Sequence, residues 1–141
     1  MAMRVLVDTN VILDYLLKRE PYDEYAEKIL MTCQQKKISG CIAAHSITNI
    51  FYILRRYFSA KEQREILMDI GRIFAVEGID LFKLKNALEN EAFDDFEDCL
   101  QFECAKSFQA DYIVTRNLDD FLNSSISCLT PEQLCRRISA E

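Results

Sequence analysis

Residues 94–117, DDFEDCLQFECAKSFQADYIVTRN, decide the fold. Phe96, Leu100, Cys104 and Phe108 recur every four residues, the spacing of neighbours on one helical face, which predicts a helix from Asp95 to Gln109. The run DYIVT, 111–115, follows at once. It is apolar without alternation, as expected of a strand covered on both faces in a parallel sheet. A helix that feeds directly into a doubly buried strand is half of an α/β unit.

The other half stands at the start of the chain. In VLVDTNVILDYLL, residues 5–17, the strand 3–8 ends in Asp8, and a helix follows in which Thr9 or Asn10 is the expected cap and Pro21 the stop. Val11, Ile12, Tyr15 and Leu16 give that helix its apolar face. Between the two halves the pattern predicts a helix from Tyr22 to about Lys36, a strand over 38–43, and a helix capped by Ser46 that runs to Tyr57. A helix through Phe74 opens on the capping box of Ser59 and Glu62; a weak strand over 76–81 and a helix over 83–90 come next. After the loop RNLDDFLNS, a strand over 126–129 leads to a last helix marked by Thr130, Pro131 and Gln133. Strands and helices alternate throughout, so the class is α/β with a mostly parallel sheet and right-handed crossovers.

Composition narrows the function classes. The 141 residues, half of them apolar, suit one domain with a real core, 1–141, and no linker or repeat divides them. No run of about 18 apolar residues is uninterrupted, which argues against a membrane span. The six cysteines form no C-x-x-C pair, and the chain has one histidine, His45, so the usual zinc sets are absent. The cysteines read as small core residues of a cytoplasmic protein, because the opening MAMRVLVDTN lacks the layout of a secretory signal. A net charge of -6 excludes binding of nucleic acid by a broad basic surface, yet suits an acidic pocket that recruits a cation.

In an open parallel sheet, ligands bind beyond the carboxyl ends of the strands. Asp8 sits at such an end, and so do Thr115, Arg116 and Asn117. The acids Asp94, Asp95, Glu97 and Asp98 open the helix that precedes 111–115, on the same side of the sheet, with Asp95 and Asp98 three apart on one face. Asp8, Asp95, Asp98 and the loop from Asn117 to Asp120 can therefore converge into a pocket of hard oxygen ligands of the kind that binds Mg²⁺ or Mn²⁺. Plain structural readings stand beside this one. Acids in a first helical turn are favoured by the macrodipole, and Asp8 can be the capping residue of the first helix. Asp14 reads as a solvated or structural acid, and His45 as a loop or cap residue. Arg55, Arg56 and Arg116 are the basic residues expected near a phosphate backbone.

Taken in order, VLVDTNVILDYLL, SITNIFYILRR and DFEDCLQFECAKSFQADYIVTRNLDDF resemble the PIN domains, in particular the small bacterial ones similar to the toxins of VapBC toxin-antitoxin pairs. The resemblance runs from Met3 to about Arg137. It implies a three-layer α/β/α sandwich, Mg²⁺ or Mn²⁺ as cofactor, and hydrolysis of phosphodiesters, usually in RNA. It also implies a homodimer and an antitoxin as partner. By position Asp8 corresponds to the first family acid and Asp98 to the third, with Asp95 supporting. The second falls at Asn49 and the fourth at Asn117, so two positions that often carry charge are neutral here, and Asp120 is placed to supply the charge missing at 117. Asn10, Asn49 and Thr115 are then supporting residues, with Thr115 and Asn117 orienting water or phosphate.

Two rivals stand beside this reading. One is a degenerate domain that binds RNA or a protein without cutting, which the two asparagines favour. The other is a phosphotransfer enzyme with Asp8 as nucleophile, but such a site usually has a second acid two positions on, and Asn10 cannot donate that proton.

Overall fold

The computed structural model describes residues 2–140. A five-stranded sheet forms its centre, built from β1 (Arg4–Val7), β2 (Ser39–Ala43), β3 (Ala75–Glu77), β4 (Tyr112–Val114) and β5 (Ser127–Leu129). The order across the sheet is β3-β2-β1-β4-β5, and every neighbouring pair is parallel. The chain thus adds strands outward on one side of β1 and later on the other, so strand order reverses between β1 and β4.

Alternation along the strands sorts the core into two faces. Val5, Val7 and Val114 point to one side, where they meet Ile12 of α1 (Thr9–Leu16), Ile29 of α2 (Asp23–Gln34), Ile50 of α3 (Ala44–Leu54), Ile70 of α4 (Ala60–Ile73) and Leu134 of α7 (Pro131–Ala140). Leu6, Cys41 and Ile113 point to the other side, against Phe102, Ala105 and Phe108 of α6 (Phe96–Phe108). Ala87 of α5 (Leu81–Glu89) packs behind α6 on Cys99 and Leu100. The result is the three-layer α/β/α sandwich. Burial on both faces explains why VLV and IV carry no polar alternation.

Several expected boundaries move. The first helix has Asp8 rather than Thr9 or Asn10 at its cap position, without a side-chain capping bond, and it ends near Leu17, four residues before the supposed stop at Pro21, with Lys18 turning left-handed (φ 51°). The third helix starts at Ala44 with Ala43 as its cap, so His45 lies in a helical turn and not in a loop. Ser46 is fully buried and accepts a hydrogen bond from Thr9 Oγ1 instead of capping, and the helix stops at Leu54, short of Tyr57. The strand expected over 76–81 is only Ala75–Glu77, because the Asp80 side chain caps α5 by accepting from the Lys83 N–H, and so starts that helix two residues early. Part of RNLDDFLNS is a 3₁₀ turn, Leu118–Phe121, rather than loop. The capping box of Ser59 and Glu62 forms with both hydrogen bonds, as does the reciprocal pair of Thr130 and Gln133.

All six cysteines are free thiols, five buried and Cys128 half-buried. Burial pushes Cys33 up to about 12 and Cys104 up to about 11, as expected of core residues. Among the described residues no helix is long and apolar enough to cross a membrane.

Candidate metal centre

Asp8 follows β1 at the reversal of strand order, only 4% exposed. Its backbone N–H donates to Val114 O, which ties it to the end of β4. Although Asp8 occupies the cap position of α1, its carboxylate makes no capping bond. Instead Oδ2 accepts from Thr115 Oγ1 at 2.8 Å and Oδ1 accepts from Gln101 Nε2 at 2.9 Å. The capping account of Asp8 therefore fails on geometry. The buried carboxylate is held on both oxygens by neutral donors, and these offset part of its desolvation.

Around it lies a crevice of about 410 Å³ lined by Asp8, Asn10, His45, Asn49, Asp98 and Gln101, among others. A smaller pocket, lined by Asp94, Asp95, Asp98, Asp119 and Asp120, adjoins it at Asp98. Asp95 caps α6, its Oδ1 accepting from the Asp98 N–H at 2.9 Å, and this local bond sets Asp98 on the first helical turn. The 3₁₀ turn carries Asp119 and Asp120 to the same place. Partial burial pushes Asp98 up to about 7, helped by the nearby charges of Asp95, Asp120, Asp8 and Glu97. Asp120 is also raised, by burial and then by Asp8, Asp95 and Asp119. His45 is lowered by burial, with Glu97, Asp8 and Asp95 acting the other way.

This donor set fits a hard divalent cation. Among the described residues no three His, Cys, Asp or Glu side chains converge at metal-site spacing. Mg²⁺, however, is usually held by one or two carboxylates and keeps several waters, so a site of Asp8 and Asp98 with neutral oxygens around it is sufficient. The charge imbalance at Asp98 and Asp120 is of the kind a cation relieves.

The other expected residues divide. Asn10 and Asn49 line the crevice, and Asn49 Nδ2 donates to Glu97 Oε2 at 3.3 Å. Arg55 stacks on Tyr52, 3.9 Å from its ring, and Tyr52 is itself part of the crevice wall; Arg56 is exposed beside it. Two placements correct the sequence reading. Arg116 is engaged with an acid: its Nε and Nη2 donate to both carboxylate oxygens of Asp14, at 2.6 and 3.0 Å, and the guanidinium lies 4.2 Å over the Tyr22 ring. Its charge is spent on a carboxylate that is 1% exposed. Asn117 lies outside the acidic crevice, in a pocket of about 350 Å³ with Tyr22, Tyr25 and Arg116, and its backbone N–H donates to Thr115 Oγ1.

Sequence reading missed Gln101. The available signal was its place three residues after Asp98, which puts it on the same helical face of an otherwise apolar helix.

The fold and site define a class: a parallel α/β domain with an acidic crevice where its strand order reverses. The chain belongs to the PIN domain family, whose model matches residues 4–119. Among solved structures it is similar to the toxin-antitoxin complex from Klebsiella pneumoniae, with a TM-score of 0.69 and 18% identity over 90% of this chain and 97% of that one. It is similar also to VapBC2 from Rickettsia felis bound to a DNA fragment from its promoter (TM-score 0.66, 15% identity, 91% and 98% covered). A third is the Mycobacterium tuberculosis toxin VapC20, which cleaves the sarcin-ricin loop (TM-score 0.66, 12% identity, 86% and 95% covered). At such identities the likeness is one of fold. A search among curated protein sequences finds no match.

Proposed function

We propose that this chain is a divalent-metal-dependent endoribonuclease that hydrolyses phosphodiester bonds, and that it is the toxin of a toxin-antitoxin pair. The observation that carries the reading is Asp8, a buried carboxylate fixed on both oxygens by neutral donors, lining one crevice with an Asp98 that burial, and then its acidic neighbours, push up to about 7. Asp8 and Asp98 would hold Mg²⁺ or Mn²⁺, with Asp95 and Asp120 adding charge behind them. The ion, when bound, supplies activation of water and stabilisation of charge on the phosphodiester.

The chain's own residues do the rest. Thr115 and Gln101 hold the Asp8 carboxylate in one orientation. Asn10 and Asn49 add neutral oxygens to the crevice, while Arg55 and Arg56, at the end of α3, suit contact with the phosphate backbone of RNA. Two of the similar structures are toxin-antitoxin complexes, which supports an antitoxin as partner. A homodimer would join two acidic crevices into one surface. Free buried thiols suit the reducing cytoplasm.

One observation favours a second reading, a domain that binds RNA without cutting it: Asn49 is engaged with Glu97 and Asn117 stands outside the crevice. Labelled single-stranded RNA incubated with wild type or Asp8→Asn, with Mn²⁺ or Mg²⁺ and then with chelator, separates the two. Cleavage by wild type alone, and only with metal, is expected. Binding of the RNA without metal-dependent cleavage would establish the second reading.

A further inference from the structure

Three buried side-chain atoms lack a hydrogen-bond partner within the protein among the described residues: Gln63 Oε1, Gln101 Oε1 and His45 Nδ1. The last two belong to residues of the acidic crevice. An unpaired buried acceptor is costly, so in native proteins it marks a place whose partner arrives from elsewhere.

For Gln101 the orientation is fixed by chemistry. Both oxygens of an ionised Asp8 only accept, so the amide NH₂ must face Oδ1 and the amide oxygen must face away. At 3% exposure the side chain has no room to wander. It sits in mid-helix on α6, one turn beyond Asp98, so a rigid element holds it against both acids. For His45, Nε2 lies 3.1 Å from Glu97 O and burial favours the neutral ring, so that bond places the proton on Nε2 and leaves Nδ1 as an acceptor. Both orphan atoms therefore offer an unused lone pair, which the O–H of a water or a cation can meet.

We propose that Gln101 is a further catalytic residue: while its Nε2–H holds Asp8, its Oε1 accepts a hydrogen bond from the attacking water and turns that water's lone pair toward the phosphorus. In the step itself the water oxygen forms the new P–O bond, the P–O bond to the leaving oxygen breaks with its electron pair going to that oxygen, the water's proton passes to solvent or an acidic neighbour, and the leaving oxygen takes up a proton from solvent. Gln101 takes no proton. It fixes direction only.

This inference rests on the nuclease reading, and the two fail differently. Wild type, Gln101→Met and Gln101→Glu are compared for kcat and KM on single-stranded RNA at saturating Mn²⁺, for Mn²⁺ affinity by titration without RNA, and for melting temperature. Met keeps the length and the helix but neither donates nor accepts as an amide does; Glu keeps an acceptor oxygen. The expected result is a loss in kcat of about 10- to 100-fold for Gln101→Met at saturating Mn²⁺, with KM within about threefold of wild type, any weakening of Mn²⁺ binding too small to account for the loss, and recovery of part of it by Gln101→Glu. Unchanged kcat in a folded Gln101→Met would overturn the inference, and so would a loss that extra Mn²⁺ restores, since Gln101 would then serve the cation alone. Equal inactivity of Glu and Met, both folded, would likewise assign Gln101 to holding Asp8 and not to water. A wild type that cleaves nothing at any Mn²⁺ concentration sinks the nuclease reading first.

Discussion

Asp8 and Asp14 are six residues apart, at opposite ends of α1, and both are almost wholly buried, yet they are satisfied in opposite ways. Asp14 has its cation built in: Arg116 grips it with two hydrogen bonds, and Arg19 stands 3.7 Å away. Asp8 has hydrogen bonds from Thr115 and Gln101 but, among the described residues, no cationic side chain in hydrogen-bond contact. The chain can neutralise a buried carboxylate when stability alone is at stake. That it does so at Asp14 and not at Asp8 separates a structural acid from one open to an outside charge.

The comparison breaks most visibly at Arg116. Arg116→Met strands the charge of Asp14 and should lower stability by about 3 to 5 kcal/mol, with Arg19 limiting the loss, read as a fall in denaturation midpoint. Adding Asp14→Leu to the same chain should recover most of it, because an apolar pair needs no partner. At Asp8 the outcome should invert. Asp8→Asn removes charge from a place that lacks a counterion, so we expect stability within about 1 kcal/mol of wild type while metal-dependent RNA cleavage falls at least about 100-fold. A loss of folding in Asp8→Asn as large as that of Arg116→Met would erase the distinction.

Smaller effects sharpen it. Thr115→Val leaves Asp8 Oδ2 without its donor and should cost about 1 to 3 kcal/mol in thermal or denaturant melts. The pH dependence isolates Asp98. Its folded pKa, raised to about 7, exceeds the ordinary value of 3.8, so the native state binds the proton more tightly than the unfolded chain does. Without metal, its contribution to stability is full below about pH 4 and lost as pH rises toward 7; Asp98→Asn should flatten that slope. Mn²⁺ must displace the same proton, so its apparent affinity should weaken between pH 8 and pH 6 in wild type but not in Asp98→Asn. Tyr22→Ala, which bares the guanidinium of Arg116, should cost the least, about 0.5 to 1 kcal/mol from the lost cation-ring contact.

What was legible in the sequence was what neighbouring residues decide. The β-branched runs ending at Asp8 and Thr115, the four-residue spacing from Phe96 to Phe108 and the capping boxes at Ser59 and Thr130 are local, and the structure has them all. The acids Asp8 and Asp98 were legible because both stand at ends of such elements. The surroundings of Arg116 and Asn117 were not legible, because Asp14 and the pocket beside Tyr22 lie about a hundred residues away, and no local rule says which way a side chain turns after a strand. Ser46 misled for a related reason: it has the chemistry of a cap, but Thr9 claims its hydroxyl across 37 residues. Gln101 was hidden in plain view, a polar side chain on a helix read for its apolar period.

The thiols also make this molecule its own gauge of opening. Cys33 and Cys135 lie on one face of the sheet, Cys41 and Cys104 on the other, and Cys99 behind α6, all sealed and held as unreactive thiols, while Cys128 is half-exposed. Under a pulse of alkylating reagent, the mass of the intact chain counts how many sulfurs have been uncovered. Peptide mapping then tells whether the layer carrying α6 lifts from the sheet by itself or only when every layer goes.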